Sequence, residues 1–111
     1  MHKAFISIWL SYYVEKTGQN YILDGKQGMH LKQLIKKIES KVKERGMEVT
    51  EENMTNSFKG FLMLIKDKFT LENLDISMVN SRFNILYGKA VRENPFTAKE
   101  RITEILRRGN S

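Results

Sequence analysis

Hydrophobic residues recur every three to four positions through most of this chain, which is the spacing of one face of an α-helix. The first stripe is aromatic and consists of Phe5, Trp9, Tyr12 and Tyr13. It predicts a helix from Lys3 to Lys16, with Gly18 in the position of a C-terminal cap. The second stripe is aliphatic and consists of Leu31, Leu34, Ile35, Ile38 and Val42. It predicts a helix from about Met29 to Arg45. We interpret residues 19–28, between these helices, as an ordered loop whose Tyr21 and Leu23 tuck into the core.

A third helix is predicted after Thr50, whose hydroxyl is a typical N-terminal cap. Its stripe consists of Met54, Phe58, Phe61, Leu62, Ile65 and Phe69. Gly60 lies inside this helix, where glycine is destabilising. We therefore expect a neighbouring element to approach the backbone closely at Gly60.

The C-terminal third predicts two more helices. After a turn over residues 71–74, Asp75 is a candidate cap for a helix that continues to about Arg92. Its inward residues are Ile76, Val79, Phe83, Leu86 and Ala90. Pro95 breaks the chain, and a capping box at residues 97–100 opens a last helix that ends at Arg108. The sequence therefore predicts an all-α protein, a compact bundle of about five helices in a single domain over residues 1–111.

Composition removes several classes of function. The chain has no cysteine, which excludes disulfides, thiolate nucleophiles and cysteine-ligated metals. Its apolar runs are far shorter than the roughly 20 residues that span a bilayer, so we expect no membrane association. The absence of cysteine fits a cytoplasmic location, which we therefore expect. His30 is the only internal histidine, and no phosphate-binding glycine loop or serine-nucleophile motif occurs. We therefore expect a protein that is not an enzyme and that holds no cofactor or metal.

Positive charge is concentrated in the second predicted helix and the loop that leads into it. The chain has 19 Lys and Arg residues against 13 Asp and Glu residues, a formal charge of +6. Between Gly25 and Gly46 there are seven basic residues and only two acidic ones, Glu39 and Glu44, so this segment carries +5. Lysines on a helix face are often no more than solvated surface. Here the excess is local, and this favours contact with a polyanion.

We interpret this basic face as a track for the phosphates of a nucleic acid, and we expect DNA rather than RNA. Arg82, in the polar run of residues 80–82, is a candidate for contact with phosphates and with base edges. Lys89 is a further candidate if the fold brings it alongside. The predicted contact residues are Lys26, Lys32, Lys36, Lys37, Lys41, Lys43, Arg82, Arg107 and Arg108.

The first helix carries a pattern of aromatic residue, Trp, Tyr, Lys and Gly, formed by Phe5, Trp9, Tyr13, Lys16 and Gly18. This pattern resembles the one that opens C-terminal domains of some replication-accessory proteins of phages and mobile elements. The resemblance covers residues 5–18 only. It implies a helix-rich accessory of replication or helicase loading, and it assigns no catalytic residue.

Two functions follow as expectations. The first is a non-enzymatic nucleic-acid-binding protein of a phage or mobile element, acting as a replication accessory with a host or replication protein as its partner. The second is a protein-interaction module, such as a phage-encoded inhibitor or adaptor that binds a host protein. The second expectation uses the methionines that lie off the main stripes, Met47, Met63 and Met78, as an exposed apolar patch.

Overall fold

The computed structural model describes the backbone of residues 1–93 and the side chains of residues 1–89. These residues form an all-α bundle, which confirms the predicted fold class. Its helices are α1 (His2–Thr17), α2 (Gly25–Glu44), α3 (Glu51–Met63), α4 (Lys68–Glu72), α5 (Ile76–Ser81) and α6 (Phe83–Glu93). The helix predicted after Pro95, with Arg107 and Arg108, lies outside the described residues.

Side-chain caps determine where the helices begin. Asp24 accepts a hydrogen bond from the Gln27 amide at 2.9 Å, so α2 begins at Gly25, four residues earlier than the hydrophobic stripe predicted. Thr50 accepts from the Asn53 amide at 3.1 Å and starts α3 as expected. At the other end of α1, Gly18 has a φ of 72°, the left-handed conformation that glycine adopts without strain.

The core lies where α2 packs against α3 and α5 and where α1 packs against α3. Its largest side chains are aromatic. Phe5 stacks on Phe58 with ring centroids 4.7 Å apart, and Phe61 meets Phe83 edge-on at 4.9 Å. Each such ring that is fully buried contributes roughly 1.5–3 kcal/mol through removal of apolar surface from water. Packing of aromatic rings therefore joins α1, α3 and α6 into one core.

The loop between α1 and α2 is anchored as predicted, with Tyr21 and Leu23 packed against the core. The Tyr21 hydroxyl donates to Asp75 Oδ2 at 3.0 Å and accepts from the Ile76 amide at 3.2 Å. Burial, followed by the nearby Asp75 carboxylate, raises the pKa of Tyr21 against the effect of the Ile76 amide. One tyrosine therefore connects this loop to the first turn of α5.

The predicted inward position of Phe69 is wrong. Helix α3 ends at Met63, and Asp67 starts a new helix by accepting from the Thr70 amide at 3.0 Å and from its hydroxyl at 2.7 Å. This break shifts the helical phase, so Phe69 belongs to α4 and is 55% exposed.

The other departures have local causes as well. The expected close approach at Gly60 is wrong, because no neighbouring atom lies within 4 Å of the position that a Cβ would occupy. The helix predicted from Asp75 to Arg92 is divided into α5 and α6 at Arg82, because the φ of −100° and ψ of 13° of this residue depart from helical values.

Candidate nucleic-acid interface

Four of the predicted lysines of α2 are exposed, and we call Lys26, Lys32, Lys36 and Lys43 the outer lysines. Lys32 and Lys36 are one helical turn apart, and Lys43 lies nearly two turns further along the same side. The opposite side of the helix is buried, through residues such as Leu34 and Ile38. The apolar stripe of α2 thus fixes which lysines face solvent.

Most of the outer lysines have no intramolecular partner for their ammonium groups among the described residues. Lys43 forms an ion pair with Glu39 at 3.0 Å, but both side chains are exposed, and such pairs contribute little. Lys26, Lys32 and Lys36 form no ion pair or hydrogen bond through their ammonium groups within the described part of the chain. Their charge is therefore available to an external anion.

The carboxylate of Asp24 limits what Lys26 can contribute. It accepts the Gln27 amide and so occupies the N-terminus of α2, the place where helix amides would otherwise hold a phosphate. Lys26 therefore offers a flexible exposed charge but no phosphate cradle.

Lys37 and Lys41, which we call the inner lysines, have structural partners. Lys37 Nζ donates to the main-chain oxygen of Asn80 at 2.6 Å and so ties α2 to α5. Lys41 lies 3.3 Å from Glu44 Oε2 and 5.0 Å from the centre of the Tyr87 ring on α6. These two ammonium groups therefore stabilise the bundle and are less available to an external anion.

Asn80 is buried, with 3% of its surface exposed, and it is not available to a base edge. Its amide nitrogen donates to Gln33 Oε1 at 2.8 Å and lies 3.2 Å from His30 Nδ1. Three residues of α2 at positions 30, 33 and 37 therefore converge on one residue of α5. This polar cluster fixes how α2 sits on α5.

Arg82 is engaged beside α4 rather than along the outer side of α2. Its Nη1 lies 3.6 Å from Asp67 Oδ2 and donates to Thr70 Oγ1 at 3.3 Å. Lys89 donates to the same carboxylate at 3.2 Å. Hydrogen bonds from the Thr70 hydroxyl and amide, followed by Lys89, lower the pKa of Asp67 to about 2.

The C-terminal end of α2 has its own connection. The Arg45 Nη2 donates to Ser57 Oγ on α3 at 2.7 Å, so this basic residue joins two helices. The structure leaves four of the nine predicted contact residues exposed on α2, and three of them, Lys32, Lys36 and Lys43, share one side of the helix. It gives Lys37, Lys41 and Arg82 internal partners.

Sequence reasoning missed the surface around α4, where Lys66, Lys68 and Phe69 are exposed. A signal was present, because Asp is a typical N-terminal cap, and Asp67 accepts from the Thr70 amide at the start of α4. Once that break is recognised, Phe69 no longer belongs to the inward stripe of α3.

The described residues offer neither a metal-binding cluster nor a helix that could span a membrane. They contain no group of three or more His, Cys, Asp or Glu side chains arranged to hold a metal ion. No helix within residues 1–93 combines the length and the apolar character needed to cross a bilayer. Comparison of the chain with protein-family models, curated proteins and solved structures gives no match.

Proposed function

We propose that this protein binds nucleic acid through the outer lysines of α2. The observation that carries the proposal is a row of three exposed ammonium groups, those of Lys32, Lys36 and Lys43, on one side of a 20-residue helix. Glu39 is the one carboxylate that pairs with them among the described residues. Lysines in such a row displace the cations condensed on a phosphate backbone, which yields affinity that is independent of sequence and sensitive to salt.

The length of the row suits a polyanion better than a small ligand. Residues 32 and 43, the ends of this row, are about 17 Å apart along an ideal helix axis. Double-stranded DNA presents roughly one negative charge for every 1.7 Å of its axis, so a row of this length faces many phosphates at once. We therefore infer a nucleic-acid backbone as the ligand, and DNA as the form on which to test it first.

The biological setting that we propose is a non-enzymatic replication accessory of a phage or mobile element, located in the cytoplasm. It derives from the resemblance of residues 5–18 and not from α2. In the structure Phe5 and Trp9 are buried and Gly18 caps α1, so these pattern residues serve the fold. The binding proposal and the setting therefore depend on different parts of the chain.

The test is a fluorescence-anisotropy titration with random-sequence duplex DNA, single-stranded DNA and RNA at two salt concentrations. The variant is the double charge reversal Lys32→Glu, Lys36→Glu, which leaves the Lys37 contact intact. The matched control is Lys3→Glu, Lys59→Glu, because both control lysines are exposed and the change in net charge is the same.

We expect the α2 variant to lose at least tenfold in DNA affinity at low salt, and the control to lose much less. Equal affinity of the two variants would mean that the overall charge, and not α2, determines binding. No binding of any nucleic acid by the unaltered protein would refute the proposal.

A specific observation also favours the second function, docking of a partner protein. Between α1 and α3 lies a groove of about 380 Å³, and Met63 on its wall is 74% exposed. An exposed methionine offers an adaptable apolar contact. If this is the functional surface, Met63→Lys will abolish a complex that gel filtration detects and that survives nuclease treatment.

A further inference from the structure

Phe69 on α4, which is 55% exposed, is the only exposed aromatic side chain among those that the structure describes. The other described aromatic residues are buried or half-buried and pack in or against the core. One face of the Phe69 ring is covered by a cation, since the Arg82 guanidinium carbon lies 5.3 Å from the ring centre. A half-exposed ring with a cation on it is a surface on which another flat group can stack.

A cavity of about 270 Å³ lies at the turn between α3 and α4, immediately before Phe69 in the chain. Lys66, Lys68 and Lys89 line it together with Asp67. Arg82 connects the cavity to the ring, because it contacts both Asp67 and Phe69. The cavity and the ring therefore form one surface, which we call the α4 surface.

The α4 surface has more positive than negative charge. Asp67 is already shared by Lys89 at 3.2 Å and Arg82 at 3.6 Å, so its charge is neutralised. Lys68 lies 3.9 Å from Glu72, but 88% of the Lys68 side chain is exposed. Lys66 forms no ion pair with any described side chain. Lys66 and Lys68 are therefore free to meet a phosphate.

We propose that the α4 surface binds one unpaired nucleotide of single-stranded DNA, with its base stacked on Phe69 and its phosphate between Lys66 and Lys68. Proteins that hold single strands combine cations along the backbone with aromatic rings under the bases. In a duplex both faces of an internal base are covered by its neighbours, so only an unpaired base reaches Phe69. This inference rests on the proposed function, because it takes nucleic acid as the ligand of this protein.

The experiment compares a fluorescein-labelled single strand with a blunt-ended duplex of equal phosphate count, which has no unpaired base, and both are titrated by anisotropy. The first variant is Phe69→Leu, which keeps an apolar side chain and removes the ring. Phe69→Tyr restores a ring and serves as the rescue. The matched control is Ile85→Ala, which alters another apolar side chain that is 54% exposed. Lys66→Gln, Lys68→Gln tests the phosphate contact separately, and circular dichroism confirms that each variant is folded.

We expect Phe69→Leu to weaken single-strand binding by about tenfold and duplex binding by less than about twofold, with Phe69→Tyr and Ile85→Ala close to the unaltered protein. We expect Lys66→Gln, Lys68→Gln to weaken single-strand binding as well. A 2-aminopurine base in the strand should lose fluorescence on binding to the unaltered protein and to Phe69→Tyr, because stacking quenches it.

Three results would overturn the inference: unchanged single-strand affinity in Phe69→Leu, an equal loss for both ligands, or an equal loss in Ile85→Ala. The proposed function has a separate readout, which is Lys32→Glu, Lys36→Glu in the same titration. If that variant weakens both ligands while Phe69→Leu changes neither, α2 binds nucleic acid and the α4 surface does not. If Lys32→Glu, Lys36→Glu changes neither ligand, the proposed function fails.

Discussion

Lys36 and Lys37 are neighbours in the chain and identical in chemistry, yet the fold gives them different environments. Lys36 faces solvent on the outer side of α2, whereas Lys37 reaches the main-chain oxygen of Asn80 at 2.6 Å. One residue of helix is a rotation of about 100°, which is enough to move a side chain from the surface to a helix interface. The local charge of +5 therefore overstates the charge that α2 can offer to a ligand.

The same contrast separates the two groups of lysines as a whole. The outer lysines keep their hydration and their rotamer freedom, so a bound phosphate meets mobile charges that release counterions. The inner lysines have lost part of their hydration and part of their rotamer freedom, because they contact α5 and α6. Outer lysines should therefore affect binding without affecting stability, and inner lysines the reverse.

The largest effect on stability is expected from charge reversal at Lys37. Lys37→Glu removes the donor to a buried carbonyl and places a carboxylate beside it, so we expect the free energy of unfolding to fall by about 2 kcal/mol. Lys36→Glu is the matched control, because it makes the same change one residue away, and it should stay within about 0.5 kcal/mol. Urea denaturation followed by circular dichroism measures both. Equal losses in the two variants would remove the distinction between inner and outer lysines.

A smaller effect, of opposite sign, is expected at Gly60, where no cation is involved. Gly60→Ala should raise the free energy of unfolding by about 1 kcal/mol, because alanine favours a helix interior and the new methyl group meets open space. DNA affinity should not change, which shows that stability and binding vary independently.

Gly18→Ala is the contrasting control. Gly18 has a φ of 72°, which a residue with a side chain adopts only with strain, so we expect the free energy of unfolding to fall by about 1 kcal/mol. A loss of stability in Gly60→Ala would indicate that a neighbour does approach that helix face.

The smallest effect is expected from the change of stability with pH, because protonation of Asp67 weakens its ion pairs with Arg82 and Lys89. The pKa of Asp67 is lowered from 3.8 in the unfolded chain to about 2 in the folded protein. The carboxylate therefore makes its full contribution to stability at pH values above 3.8. That contribution is lost as the pH falls toward about 2. Asp67→Asn retains a capping side chain and removes the charge, so the variant should be less stable at neutral pH. Thermal unfolding at several pH values should show this difference shrinking between about pH 4 and pH 2; a constant difference would contradict the assignment.

The sequence predicted the elements whose evidence is local. The stripe of α1, the Gly18 cap and the Thr50 cap follow from residues a few positions apart, and they appear where they were expected. Phe69 was misassigned because its spacing continues the hydrophobic stripe of α3. The residue that caps the next helix and so interrupts this stripe is Asp67, which lies between two lysines and resembles an ordinary surface acid. Periodicity alone does not register such a break.

The division of the α2 lysines depends on tertiary structure. The apolar stripe shows which side of α2 is buried, but it does not show that α5 packs beside it with the Asn80 carbonyl within reach of Lys37. The engagement of Arg82 by Asp67 likewise depends on how α4 sits against the start of α6. These contacts join residues 43 and 15 positions apart, which a local pattern does not encode.

The account is tested most directly by the salt dependence of DNA binding in three single variants, Lys32→Gln, Lys36→Gln and Lys37→Gln. The slope of log affinity against log salt concentration falls by about 0.9 for each lost contact with a phosphate of duplex DNA. We expect that loss in Lys32→Gln and in Lys36→Gln, and no change of slope in Lys37→Gln. Equal slopes in all three variants and the unaltered protein, or a loss confined to Lys37→Gln, would contradict the claim that the outer side of α2 holds the nucleic acid.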